Sequence, residues 1–116
     1  ELVVMAGWMK IVSPFFVNKF KNKIINIHPS LLPSFKGACA IKDALSNGSK
    51  ITGCSVHYVD TEVDSGSLIM QAALSILEND NFESISRKIQ ILEHKILPLS
   101  ISHAGDSLRN KFMGNE

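Results

Sequence analysis

The sequence predicts an α/β layer fold, and three observations carry that prediction. Two short apolar runs, residues 2–6 and 23–28, have the composition of strands buried on both faces. Helical and strand signals alternate around them, in the order strand, helix, strand, loop, helix, strand, strand, helix. The last segment repeats Ile85, Ile89, Leu92 and Ile96 at helical spacing, which marks a long helix with one apolar stripe. The early strands are expected to be parallel and the two late ones to form an antiparallel pair.

Each element has a local reason. Residues 2–6 run to Gly7 and read as a buried strand. Ser13-Pro14 supplies an N-cap followed by proline at the first helical position, so a short helix follows to about Lys21. Residues 23–28, Lys-Ile-Ile-Asn-Ile-His, form the next strand. Pro29, Pro33 and Gly37 then impose an irregular loop. Residues 39–46 make a helix with Ile41, Ala44 and Leu45 on one face and Gly48 as its stop. Residues 51–60 are β-branched and aromatic. The polar segment from Asp60 to Gly66 turns the chain, and residues 67–76 give a further strand. Asp80-x-x-Glu83 has the form of a capping box. Pro98 is expected to kink the helix that follows and Gly105 to end it, with a polar tail fraying after Asp106.

With 116 residues, 45% apolar and 20% charged, the chain suits one globular domain. A net charge of +1 gives no field that would call for nucleic acid or a membrane surface. The basic run through Lys19, Lys21 and Lys23 reads as a solvated helix face. No apolar run is long enough to cross a bilayer. Cys39 and Cys54 have no metal-ligand spacing and read as free thiols in a reducing compartment. The chain starts Glu1-Leu2-Val3 directly in a strand, without a secretory signal, so the domain is expected to be incomplete at its N-terminus.

In open α/β sheets, ligands collect beyond the carboxyl ends of the strands. Asn26 and His28 are two apart at such an end and so share a face. They either tie down the following loop or do chemistry. Asp64, in a Val-Asp-Ser-Gly turn, is by itself a turn former. A histidine that moves protons, an amide that donates to an oxyanion and a carboxylate that orients them would together suit acyl transfer.

The stretch Asn26-Ile27-His28-Pro29-Ser30-Leu31-Leu32-Pro33, followed by Gly37, resembles the N-x-H-P-S-L-L-P loop of the folate-dependent formyltransferases. Gly53-Cys54-Ser55-Val56-His57-Tyr58-Val59, then Val63-Asp64-Ser65-Gly66 and Ile69-x-Gln71, resembles that family's second motif. Gln90-Ile91-Leu92-Glu93-His94 resembles the Q-x-x-E-H stretch of its glycinamide ribonucleotide branch. Together these blocks span almost the whole chain.

The resemblance implies the C-terminal portion of a three-layer, Rossmann-like formyltransferase domain over residues 1–116. It implies transfer of the formyl group of 10-formyltetrahydrofolate to the amine of glycinamide ribonucleotide, without a metal, in a cytoplasmic enzyme that is a monomer or weak dimer at full length. Asn26, His28 and Asp64 become the catalytic set. Met9, Lys10, Val12, Ile24, Asn26, Val59, Asp60, Val63 and Asp64 become the folate contacts, and Gln90 and Glu93 hold the ribonucleotide. On their own, Gln90 and Glu93 would read as a solvated helix face with both side chains pointing the same way. His57 matches a family histidine near the site. Lys10 stands where the family has Arg, keeping the charge without the planar fork. Ala38 and Cys39 replace a Leu-His pair, and a Gly-rich phosphate loop is missing. The chain alone is therefore expected to be inactive and poorly stable. A deformylase that passes the formyl group to water, or an inactive folate-binding remnant, are the alternatives.

Overall fold

The computed structural model describes residues 2–6, 23–59 and 66–112. Its elements are β1 (Val3–Ala6), β2 (Ile24–His28), α1 (Ala40–Ser46), β3 (Ile51–Tyr58), β4 (Leu68–Ser75) and α2 (Phe82–Phe112). The helix expected after Ser13-Pro14 lies outside the described residues. The four strands form one sheet in the order β1-β2-β3-β4. β1 runs parallel to β2, whereas both β2–β3 and β3–β4 are antiparallel. The early strands are thus parallel and the two late ones an antiparallel pair, as the sequence suggested, and the loop and α1 return the chain so that β3 also runs antiparallel to β2.

Strand pleating sorts the side chains onto two faces. On one, Ile25 and Ile27 of β2 and Cys54 and Val56 of β3 pack against Ile85, Ile89, Ile96 and Ala104 of α2. Leu92, Met70, Ala72 and Leu74 are half-buried at the margin of this core, as are Ile41 and Leu45 of α1. The apolar stripe of α2 is thus buried as its spacing required. The other face carries Asn26, His28, Ser55, His57 and Gln71.

The start of α2 corrects the expected cap. Asn81, not Asp80, caps the helix: its Oδ1 accepts the Ser84 N–H at 2.9 Å, and the Ser84 hydroxyl accepts the Asn81 N–H at 2.9 Å. The reciprocal pair of a capping box is present, one residue later than Asp80-x-x-Glu83. Asp80 closes the preceding turn instead, accepting the Leu77 N–H at 2.8 Å and the Lys88 ammonium at 2.9 Å. These donors, the Leu77 N–H foremost, lower its pKa from the usual 3.8 to about 2. A depressed carboxyl pKa stabilises the fold above the unfolded value, so this contribution fades as pH falls from about 4 through about 2.

α2 runs through Pro98 as a single helix, with Ser100 donating to the Ile96 carbonyl at 2.7 Å. Gly105 does not end it, and the residues after Asp106 stay helical to Phe112. Buried Ile96 and Ala104 on either side of Pro98 hold both halves of the helix to the sheet. A Cβ built on Gly105 meets nothing within 4 Å. Gly105→Ala is therefore expected to stabilise the protein by about 0.5–1 kcal/mol, read as a higher urea midpoint. A lower midpoint would mean that the site needs glycine.

Candidate active site

β2 places Asn26 and His28 two residues apart on the face of the sheet opposite α2. Both are almost fully buried, at 7% and 6% exposure. Across the sheet, Asn26 pairs with His57, and His28 pairs with Ser55, which in turn pairs with Gln71. Four of these five polar side chains, all but the exposed Gln71, are thus buried around the end of β2.

The loop after β2 folds back over this face. The His28 Nε2 lies 2.9 Å from the Phe35 carbonyl. A carbonyl only accepts, so that ring nitrogen carries the hydrogen. Phe35 has φ 54 and Gly37 φ 97, left-handed backbone that turns the chain sharply enough to aim the carbonyl at the ring. Ser55 anchors the other side of the loop, donating to the Ser30 carbonyl at 2.6 Å and accepting the Leu32 N–H at 3.0 Å. Gln71 Nε2 donates to Ser55 Oγ at 2.9 Å and to the Leu32 carbonyl at 3.1 Å. Sequence reasoning gave neither Ser55 nor Gln71 a role. The available signal was their presence in the second motif at positions whose strand parity matches His28.

Among the described residues, the buried Asn26 side-chain oxygen has no hydrogen-bond partner. Such a group costs about 1–3 kcal/mol unless something satisfies it. The unsatisfied oxygen calls for a donor group from a bound molecule, while the NH2 of the same amide is the atom that can donate to an oxygen-bearing group. Ile24, buried, and Val59, half-buried, are joined by the hydrogen bond from the Val59 N–H to the Ile24 carbonyl at 2.8 Å. The two expected folate-wall residues are thus adjacent. Met9, Lys10, Val12, Asp60, Val63 and Asp64 lie outside the described residues.

Gln90 and Glu93 sit on α2, the layer across the sheet from His28; Gln90 is exposed and Glu93 half-buried. Burial raises the Glu93 carboxyl pKa. Burial, followed by the nearby Glu93 charge, pushes the Cys54 thiol up to about 12. Cys54 is thus a neutral core thiol, whereas Cys39 is exposed. A thiol reagent at pH 8 is expected to label Cys39 alone in the native chain and both cysteines in denaturant, as counted by mass spectrometry. Native labelling of Cys54 would refute its burial.

Among the described residues, no group of three or more His, Cys, Asp or Glu could hold a metal ion, and no helix is long and apolar enough to cross a membrane. An open groove of about 540 Å³ lined by His94, Leu97, Pro98, Ile101 and Ser102 runs along α2, remote from the Asn26–His28 pair.

The described residues thus form an α/β sheet with a buried polar pair at the carboxyl end of an inner strand, the place where open α/β sheets collect ligands. Residues 1–101 match the family described as "Formyl transferase", and the chain belongs to that family. It is 48% identical over 101 residues to the trifunctional purine biosynthetic protein adenosine-3 of Chironomus tentans, covering 87% of this chain and 7% of that protein. It is 42% identical over 106 residues to the phosphoribosylglycinamide formyltransferase of Escherichia coli K12, covering 91% of this chain and 50% of that protein. Among solved structures, the phosphoribosylglycinamide formyltransferase of Anaplasma phagocytophilum superimposes with a TM-score of 0.87 at 48% identity, over 90% of this chain and 52% of that one. The chain thus spans about half the length of these single-function relatives and a small part of the trifunctional ones.

Proposed function

We propose that this chain carries the formyl-transfer site of a phosphoribosylglycinamide formyltransferase, moving the formyl group of 10-formyltetrahydrofolate to the amine of glycinamide ribonucleotide. The observation that carries the reading is the buried Asn26–His28 pair on one sheet face, with the Asn26 side-chain oxygen unsatisfied among the described residues. The folate supplies the formyl group: as the new C–N bond to the amine is made, the bond from the formyl carbon to N10 breaks and tetrahydrofolate leaves with a proton on N10. As the amine attacks the formyl carbon, negative charge gathers on the formyl oxygen. The Asn26 side-chain NH2 and the Nδ1–H of a protonated His28 ring are the donors for that charge, the Nε2–H being held by the Phe35 carbonyl, and a well-placed donor lowers such a barrier by about 2.7–4 kcal/mol. Asp64, by its place in the family motif, orients His28 and accepts the amine proton through water. Ile24 and Val59 wall the pteridine, with Met9, Lys10, Val12, Asp60 and Val63 completing the folate side. Gln90 and Glu93 contact the ribonucleotide.

The test is a chimera in which this chain replaces the aligned half of the E. coli relative. Formyl transfer is assayed with and without glycinamide ribonucleotide. Transfer that depends on the ribonucleotide is expected. Formate release that ignores it would replace the reading with a deformylase.

A further inference from the structure

His28, Ser55 and Gln71 occupy one transverse row across β2, β3 and β4, each paired with the next. We propose that Gln71 is a positioning residue for the His28 imidazole, acting through Ser55 and the Leu32 carbonyl. The proposal deepens the function above and rests on it only for what the ring does once positioned.

The connection is continuous. Gln71 donates to Ser55 Oγ and to the Leu32 carbonyl. Ser55 uses its hydrogen for the Ser30 carbonyl and accepts the Leu32 N–H. The Ser30 hydroxyl reaches the Ser34 carbonyl, and the next carbonyl along, that of Phe35, meets the His28 ring. One amide thus closes the mouth of a loop whose tip sets the ring. Ser55 is completely buried and a hydroxyl has only one hydrogen, so Ser55 alone cannot also satisfy the Leu32 carbonyl. Gln71 supplies that missing donor from an otherwise exposed strand position. A glutamine on an open strand ordinarily extends into water. Here one amide bond goes to the loop at the Leu32 carbonyl and the other to the Ser55 hydroxyl that holds the loop, so removing them frees the loop while leaving the backbone pairing of the sheet intact.

The substitution Gln71→Met keeps the length of the side chain and removes both donors. NMR of the 15N-labelled 116-residue chain reads the His28 Nε2–H signal, shielded from solvent exchange by the Phe35 carbonyl, and the exchange rate of the Leu32 amide. Wild type and the exposed control Ser75→Ala are expected to show the ring signal. Gln71→Met is expected to lose it and to raise Leu32 exchange roughly fivefold, the factor for about one hydrogen bond. Strand amides of β3 and β4 should stay protected. In the chimera, kcat should fall about tenfold or more with the folate KM within about twofold, since small misplacements of a reacting group cost this much. A His28 signal or a kcat unchanged by Gln71→Met overturns the proposal. If the ring signal responds but the unsubstituted chimera transfers no formyl group, the clamp stands and the assigned reaction falls.

Discussion

His28→Ala in the chimera is expected to slow formyl transfer by ~10²–10⁴-fold, with folate-analogue affinity nearly unchanged. The ring is buried, at a strand end, beside an amide whose oxygen finds no protein partner among the described residues. It holds the Phe35 carbonyl through one nitrogen, which orients the ring without adding to the folate wall proposed at Ile24 and Val59. Loss of the imidazole should therefore appear in the chemical step and spare ground-state binding. Single-turnover kinetics separates the two. A rate constant near that of the unsubstituted protein would remove His28 from the reaction and leave it as a tether for its loop.

Gly53→Ala should produce the largest loss of stability. A Cβ at Gly53 would lie 1.9 Å from the Ala72 carbonyl oxygen and 2.9 Å from the Ala73 Cα. Both obstacles are backbone of the partner strand, so no side-chain rotation relieves the clash. β3 and β4 must separate locally, and their hydrogen bonds with them. The cost should reach or exceed the upper end of the about 1–3 kcal/mol typical of overpacking. In a domain of this size each kcal/mol lowers the melting temperature by ~4–8 °C. Thermal unfolding of wild type and variant makes the measurement; equal midpoints would mean that the strands sit further apart than described. The same displacement would drag Gln71, one residue from Ala72, away from Ser55 and loosen the loop.

Local periodicity made much of this fold readable. The runs at 23–28 and 51–60, and the i, i+4 spacing of Ile85 and Ile89, depend on neighbours in the chain, and all became elements of the expected type. Termini were less legible because several residues compete for one role. Asp80 and Asn81 are both good caps, and the choice fell to the residue with Ser84 three positions on. Gly105 looked like a stop, yet buried Ala104 beside it keeps the helix on the sheet beyond that point. The Asn26–His28 pair was visible as two polar residues on one face of an apolar strand. Its association with Ser55 and Gln71 was not, because strand register over distances of 27 and 43 positions is set by the whole sheet. Asp64 entered through the family motif alone.

The mixed sheet also carries an order of events. β3, β4 and α2 follow one another between residues 51 and 112, and each packs on the one before it through a short connection. β2 reaches β3 only across residues 29–50, and β1 reaches β2 only across residues 7–23 and, among the described residues, pairs with no other strand. Short closures precede long ones in a folding chain. The β3–β4 pair with the start of α2 is therefore the expected nucleus, and β1 joins late. Strain at Gly53 should then slow refolding itself, whereas weakening Val4 at the sheet margin should hasten unfolding and leave the refolding rate alone.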